Sequence, residues 1–177
     1  YFDEIRFRIQ AEGPINVRDV AGSGRGWVFI GAHVGGWDIS SIFLKRDPRS
    51  ARLGMVHYLA QGLTFEGVIE RKQEKFRVDT IQSNREGAGS LVTAKEYLHN
   101  QQHVGFLADR ALGGHLELVP FFGKLAPFET RPFRVALACE APVIFTSNFK
   151  VSAEEYVFIA AGLPGSLPTD RSLRVYE

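Results

Sequence analysis

Short apolar runs alternate along the chain with longer segments whose apolar residues recur at helical intervals, which is the pattern of an α/β fold. Strands are predicted at Phe7 to Gln10, Trp27 to Ala32, Leu53 to His57, Val78 to Ile81, Val104 to Ala108, His115 to Val119, Pro142 to Thr146 and Tyr156 to Ala160. Several are almost continuously hydrophobic, as parallel strands buried on both faces are. Helices are predicted at Trp37 to Leu44, Leu63 to Phe76, Gly87 to His99 and Pro132 to Glu140. In the third, Ala88, Leu91, Ala94 and Leu98 fall on one face. In the fourth, Pro132 suits the first turn, where a missing N–H costs nothing. The expected architecture is one mixed, largely parallel sheet flanked by helices, a single domain over residues 1–177, with ligands at the carboxyl ends of the strands. The chain starts at Tyr1 and stops just after a stretch rich in Pro and Gly, so it is expected to be part of something longer.

Composition narrows the function classes. The chain has 21 Lys and Arg against 20 Asp and Glu, a net charge of +1, and no run of like charges. The long-range field that draws a protein to a polynucleotide is therefore missing, and a nucleic-acid partner is not expected. One cysteine, Cys139, allows no internal disulfide and no multi-cysteine zinc site, and its apolar surroundings suit a structural thiol. His57, His99, His103 and His115 show no metal-ligand spacing, so no metal is expected. No window approaches the eighteen or so apolar residues of a spanning helix.

The chemistry concentrates after the predicted strand at Trp27 to Ala32, in His33-Val34-Gly35-Gly36-Trp37-Asp38. His33 and Asp38 are five residues apart, a spacing that suits neither one helical face nor one strand face. The pair meets only across a bend, and Gly35 and Gly36 permit one. Asp38 then falls in the first turn of a helix, where the dipole favours its anion. A carboxylate beside an imidazole fixes the tautomer of a general base, and no Gly-x-Ser-x-Gly elbow supplies a nucleophile. The substrate would bring its own, such as a hydroxyl. The alternative is a turn whose histidine merely caps a helix or pairs with a local carboxylate.

The same residues resemble the H-x4-[DE] signature of the lysophospholipid acyltransferase superfamily, most closely its branch of lipid A lauroyl/myristoyl acyltransferases. Gly105-Phe106-Leu107-Ala108-Asp109-Arg110, Val119-Pro120-Phe121-Phe122-Gly123, Ala126-Pro127-Phe128, Arg131-Pro132-Phe133-Arg134-Val135-Ala136 and Ala141-Pro142-Val143 are similar to later blocks of that branch, in order. The resemblance implies a bacterial acyltransferase that moves a fatty acyl group from acyl carrier protein or coenzyme A to a hydroxyl or amine of a lipid or glycolipid. The thioester is a co-substrate, and no other cofactor is implied. By the same resemblance His33 is the base, Asp38 its orienting carboxylate, and the enzyme works at the cytoplasmic face of the inner membrane. Gly36, Asp38 and Arg110 stand where the branch often has Asn, Glu and Gln, which counts against lipid A itself as acceptor.

Further residues are expected to meet substrate. Gly35, Gly36 and Trp37 line the turn, and the backbone N–H groups of the two glycines suit an oxyanion. Asp109 and Arg110 end the strand Val104 to Ala108, on the rim of His33 if the strands are parallel. Arg110 suits a phosphate, or else a salt bridge with Asp109 ties the loops together. Arg85 and Arg131 are weaker phosphate candidates, and Glu117 faces either cleft or solvent. Phe is 14 of the 21 aromatic residues, and Phe121 and Phe122 are candidates for an acyl groove, although most Phe belong to the core. Two other functions fit the same residues, a thioester or ester hydrolase and a non-catalytic lipid-binding module.

Overall fold

The computed structural model describes residues 6–12, 24–35, 52–58, 78–83, 88–110 and 115–162. Among them are the strands β1 (Arg6–Glu12), β2 (Val28–Gly31), β3 (Leu53–Tyr58), β4 (Val78–Ser83), β5 (His103–Leu107), β6 (Leu116–Phe121), β7 (Lys124–Glu129), β8 (Val143–Lys150) and β9 (Glu155–Gly162). Two helices, α1 (Ala88–His99) and α2 (Arg131–Ala138), are also described. Seven strands form one sheet in the order β1-β9-β8-β2-β5-β3-β4. The strands from β8 to β4 are mutually parallel, whereas β9 runs antiparallel to β8 and β1 runs parallel to β9. The sheet is mixed and largely parallel, as its hydrophobic strands foretell.

Alternation along β2 divides the core. Val28 and Ile30 turn to the face covered by α1 and α2, where they pack with Val56, Ile81, Val104, Phe106 and Val143. Phe29 turns to the other face, onto Trp27, Ile144, Phe158 and Ala160. From α1, Ala94 and Leu98 bury one turn apart, with Leu91 packed beside them. From α2, Val135 and Ala136 bury, and Pro132 sits in its first turn. No helix among the described residues is long and apolar enough to cross a membrane.

The charged cluster at the amino ends of β3 and β4 is structural. Arg52 grips Asp79 with Nε and Nη2, and Tyr97 of α1 donates its hydroxyl to the same carboxylate at 2.8 Å. The Arg52 hydrogen bond holds Asp79 below its ordinary value, while burial and the Asp79 contact push Tyr97 up to about 12. This fastens α1 to the sheet at the end away from His33.

Two features differ from the sequence expectation. β6 is not part of the main sheet, because it pairs antiparallel with β7, a strand that the hydrophobic pattern did not reveal. Pro127 lies inside β7 and interrupts the pattern that marks a strand. The hairpin closes through Phe122 and Gly123, at φ 49° and 76°, the left-handed pair that matches strand twist in a two-residue turn.

His103 is largely buried and stands edge-on to the Phe29 ring at 5.4 Å. Its Nδ1 is buried with no hydrogen-bond partner among the described residues. Desolvation therefore lowers its pKa to about 4. The unfolded chain binds the proton more readily, so stability is expected to fall as pH drops from about 6.5 to about 4, by about 3 kcal/mol in all. Thermal melts across that window should show the loss in the native protein and a flatter curve in His103→Leu. Parallel curves would place the titration elsewhere.

Candidate active site

β2 and β5 pair in parallel register, Val28 with Val104 through Gly31 with Leu107, and Ala108 N–H donates to Gly31 C=O at 3.0 Å. The same offset, two residues further, sets His33 opposite Asp109. Nδ1 of His33 lies 2.7 Å from Oδ1 of Asp109, and the His33 backbone N–H donates to Oδ2 at 3.1 Å. Two donors on one residue thus hold both carboxylate oxygens. Burial raises the Asp109 carboxyl, but the ring and backbone hydrogen bonds of His33 outweigh it, so the group is held below its ordinary value. An ionised carboxylate only accepts, so Nδ1 carries the proton and the basic lone pair is that of Nε2. The two side chains keep 28% and 31% of their surface, enough for a substrate to reach them.

The next bend is anchored on its other side by β8. The pairing of Ile30 with Phe145 is followed by an isolated parallel bridge from Gly35 to Asn148. Five residues on one strand are matched by three on the other, and the surplus is extruded as the turn that carries His33. Gly35 has φ +71°, and a Cβ there would lie 1.8 Å from the Asn148 carbonyl oxygen. No other residue fits this close approach without moving β8.

A histidine and a carboxylate thus meet at the carboxyl ends of parallel strands. The model of the bacterial lipid A biosynthesis acyltransferase family matches residues 2–161. The chain belongs to that family. It is an acyltransferase, and the family acts on lipid. A search of curated proteins finds no match.

The remaining expected residues of the acyltransferase separate into groups. Gly36, Trp37, Asp38 and Arg85 lie outside the described residues, as do the predicted helices at Trp37 to Leu44 and Leu63 to Phe76. Asp109, expected to meet substrate or to pair with an arginine, is instead held by His33. Arg110 is exposed beside it. Glu117 is exposed on β6, across from Phe128. Phe121 and Phe122 stand at the hairpin tip, 49% and 92% exposed, and so do not form the walls of a groove among the described residues. Cys139 ends α2, and burial pushes its thiol up, away from the thiolate that a nucleophile needs.

Arg131 requires a correction. It is 2% exposed at the start of α2, and its Nε and Nη2 donate to the two carboxylate oxygens of Glu129 at 2.7 and 2.8 Å. Nη1 donates to the Ser83 hydroxyl at 2.9 Å, and Ser90 of α1 donates to the same oxygen at 3.2 Å. Burial disfavours both charges, raising the Glu129 carboxyl against the opposing Arg131 backbone N–H and lowering the Arg131 guanidinium. With its planar fork engaged by Glu129 in the interior, Arg131 is a joint between hairpin, α2 and β4, not a phosphate ligand.

Asp109 stands on the rim as its place after a strand predicts, but its partnership with His33 was missed in the sequence. The signal was present, since His33 and Asp109 each follow directly on a predicted strand, and parallel neighbours in register bring such residues together.

Proposed function

We propose that the protein transfers a fatty acyl group from an acyl thioester, carried by acyl carrier protein or coenzyme A, to a hydroxyl or amine of a membrane lipid or glycolipid. The observation that carries this reading is the 2.7 Å contact between His33 Nδ1 and Asp109. Nε2 takes the proton of the acceptor hydroxyl as its oxygen attacks the thioester carbonyl carbon. The tetrahedral oxyanion is met by a backbone N–H of the glycine-rich segment that follows His33. Collapse breaks the carbon–sulfur bond, and the departing thiolate recovers the proton from Nε2. Asp109 stabilises the imidazolium between these steps. The resemblance to the H-x4-[DE] signature assigns Asp38 to the same base, as a carboxylate that orients His33. Arg110, exposed on the rim, receives a phosphate of donor or acceptor, so that Arg110→Ala raises KM for one substrate with little change in kcat. The resemblance supports placing the reaction at the cytoplasmic face of the inner membrane.

Asp109→Asn tests the assignment. An amide can offer Nδ1 its N–H as readily as its carbonyl, which releases the tautomer, so kcat/KM is expected to fall roughly 10²–10⁴-fold through kcat. A rise in KM with kcat intact would return Asp109 to substrate binding.

A further inference from the structure

The β6–β7 hairpin has the composition of a protein interior and the exposure of a surface. From Leu118 to Phe128 its only charge is Lys124. Cross-strand pairs put Leu118 beside Pro127 and Pro120 beside Leu125 on one face, where Leu118 and Leu125 are 58% and 65% exposed. At the tip Phe121 packs edge-on to Phe122 and Phe128, and Phe122 is 92% exposed.

The turn makes this exposure more telling. Phe122 holds φ +49°, a conformation that a bulky side chain seldom takes and that Asn or Gly takes readily. Asn before Gly123 would close the same turn with less strain. The edges are closed to another protein strand. With a two-residue turn, Phe121 and Lys124 are the hydrogen-bonded closing pair, so Pro120 and Pro127 occupy positions whose N–H would point outward. One proline thus blunts each edge, which disfavours strand addition by a partner chain or a second copy.

The base of the hairpin is also tied to the end of the sheet that carries His33. Glu129, at its base, is joined through Arg131 to Ser83, the last residue of β4, at the carboxyl end of the parallel strands. His33 and Asp109 lie at that same end. We propose that this hairpin is the element by which the enzyme docks on a lipid surface, with Phe121, Phe122 and Leu125 among the acyl chains and Lys124 at the phosphate level. It presents apolar area with one snorkelling cation, as interfacial anchors do. The inference rests on the lipid acceptor proposed above and adds the surface that brings the site to it.

The test is flotation of the full chain with vesicles of phosphatidylethanolamine and phosphatidylglycerol, without acyl donor, so that it is independent of whether transfer is detected. Phe122→Asn creates an Asn-Gly turn, and is expected to keep or raise Tm while lowering the vesicle-bound fraction roughly tenfold or more. Phe122→Trp is expected to bind like the native protein. On vesicle addition the emission of its introduced indole, taken as the difference from the native spectrum, should shift to the blue. Equal flotation of native and Phe122→Asn protein, no flotation of the native protein, or an unshifted difference emission from Phe122→Trp would each overturn the proposal. Self-association without vesicles that Phe122→Asn abolishes would overturn it as well, because the occupant would then be a second copy.

Discussion

The His33→Ala protein is expected to lose acyl transfer by roughly 10²–10⁴-fold or more while remaining folded. The side chain is more than a quarter exposed, and the backbone N–H of residue 33, which also holds Asp109, survives the substitution. Tm should therefore change little. Because the imidazole acts only as charge develops on the attacking oxygen, the loss should appear in kcat and kcat/KM together, with KM nearly unchanged. Thiol release from an acyl thioester in the presence of lipid is a suitable readout. Native turnover by the His33→Ala protein would remove the base from the mechanism.

The largest effect on stability is expected at the buried pair. Arg131→Met leaves the Glu129 carboxyl, 4% exposed, without its guanidinium, at a cost of about 3–5 kcal/mol. Tm would fall by roughly 10 °C or more in a domain of this size. Replacing both partners, with Glu129→Leu alongside Arg131→Met, removes the uncompensated charge and should recover most of the loss. The two sites are therefore expected to be strongly non-additive. If Arg131→Met keeps its Tm and instead raises KM for a phosphate-bearing substrate, the residue is a ligand after all.

How much of this the sequence displayed depends on the range of the interaction. β2, β3, β5 and β8 are legible because buried parallel strands are hydrophobic on both faces, and α1 because its apolar residues return every turn. β7 is hidden by Pro127, and by the absence of alternation in Lys124-Leu125-Ala126. The glycine-rich bend after His33 is legible as a bend, but the reason for Gly35, a carbonyl of β8, is 113 residues away. The His33 contact with Asp109 spans 76 residues and exists only because β2 lies beside β5 in register, which no local pattern states. The interior place of Arg131 is hidden for a related cause. A charged residue beside a proline looks like surface, and only the hairpin that folds Glu129 under α2 takes it out of water.

The base held by Asp109 is assigned to activate a lipid acceptor and not water. The most direct measurement supplies the purified protein with an acyl thioester carrying an isotopic label, presents a bacterial polar-lipid extract as acceptor, and follows the label by mass spectrometry. The expected result is label on a lipid that gains one acyl chain, released thiol in equal amount, and neither product with His33→Ala. Label recovered as free fatty acid, with no acylated lipid at any time, would contradict the assignment.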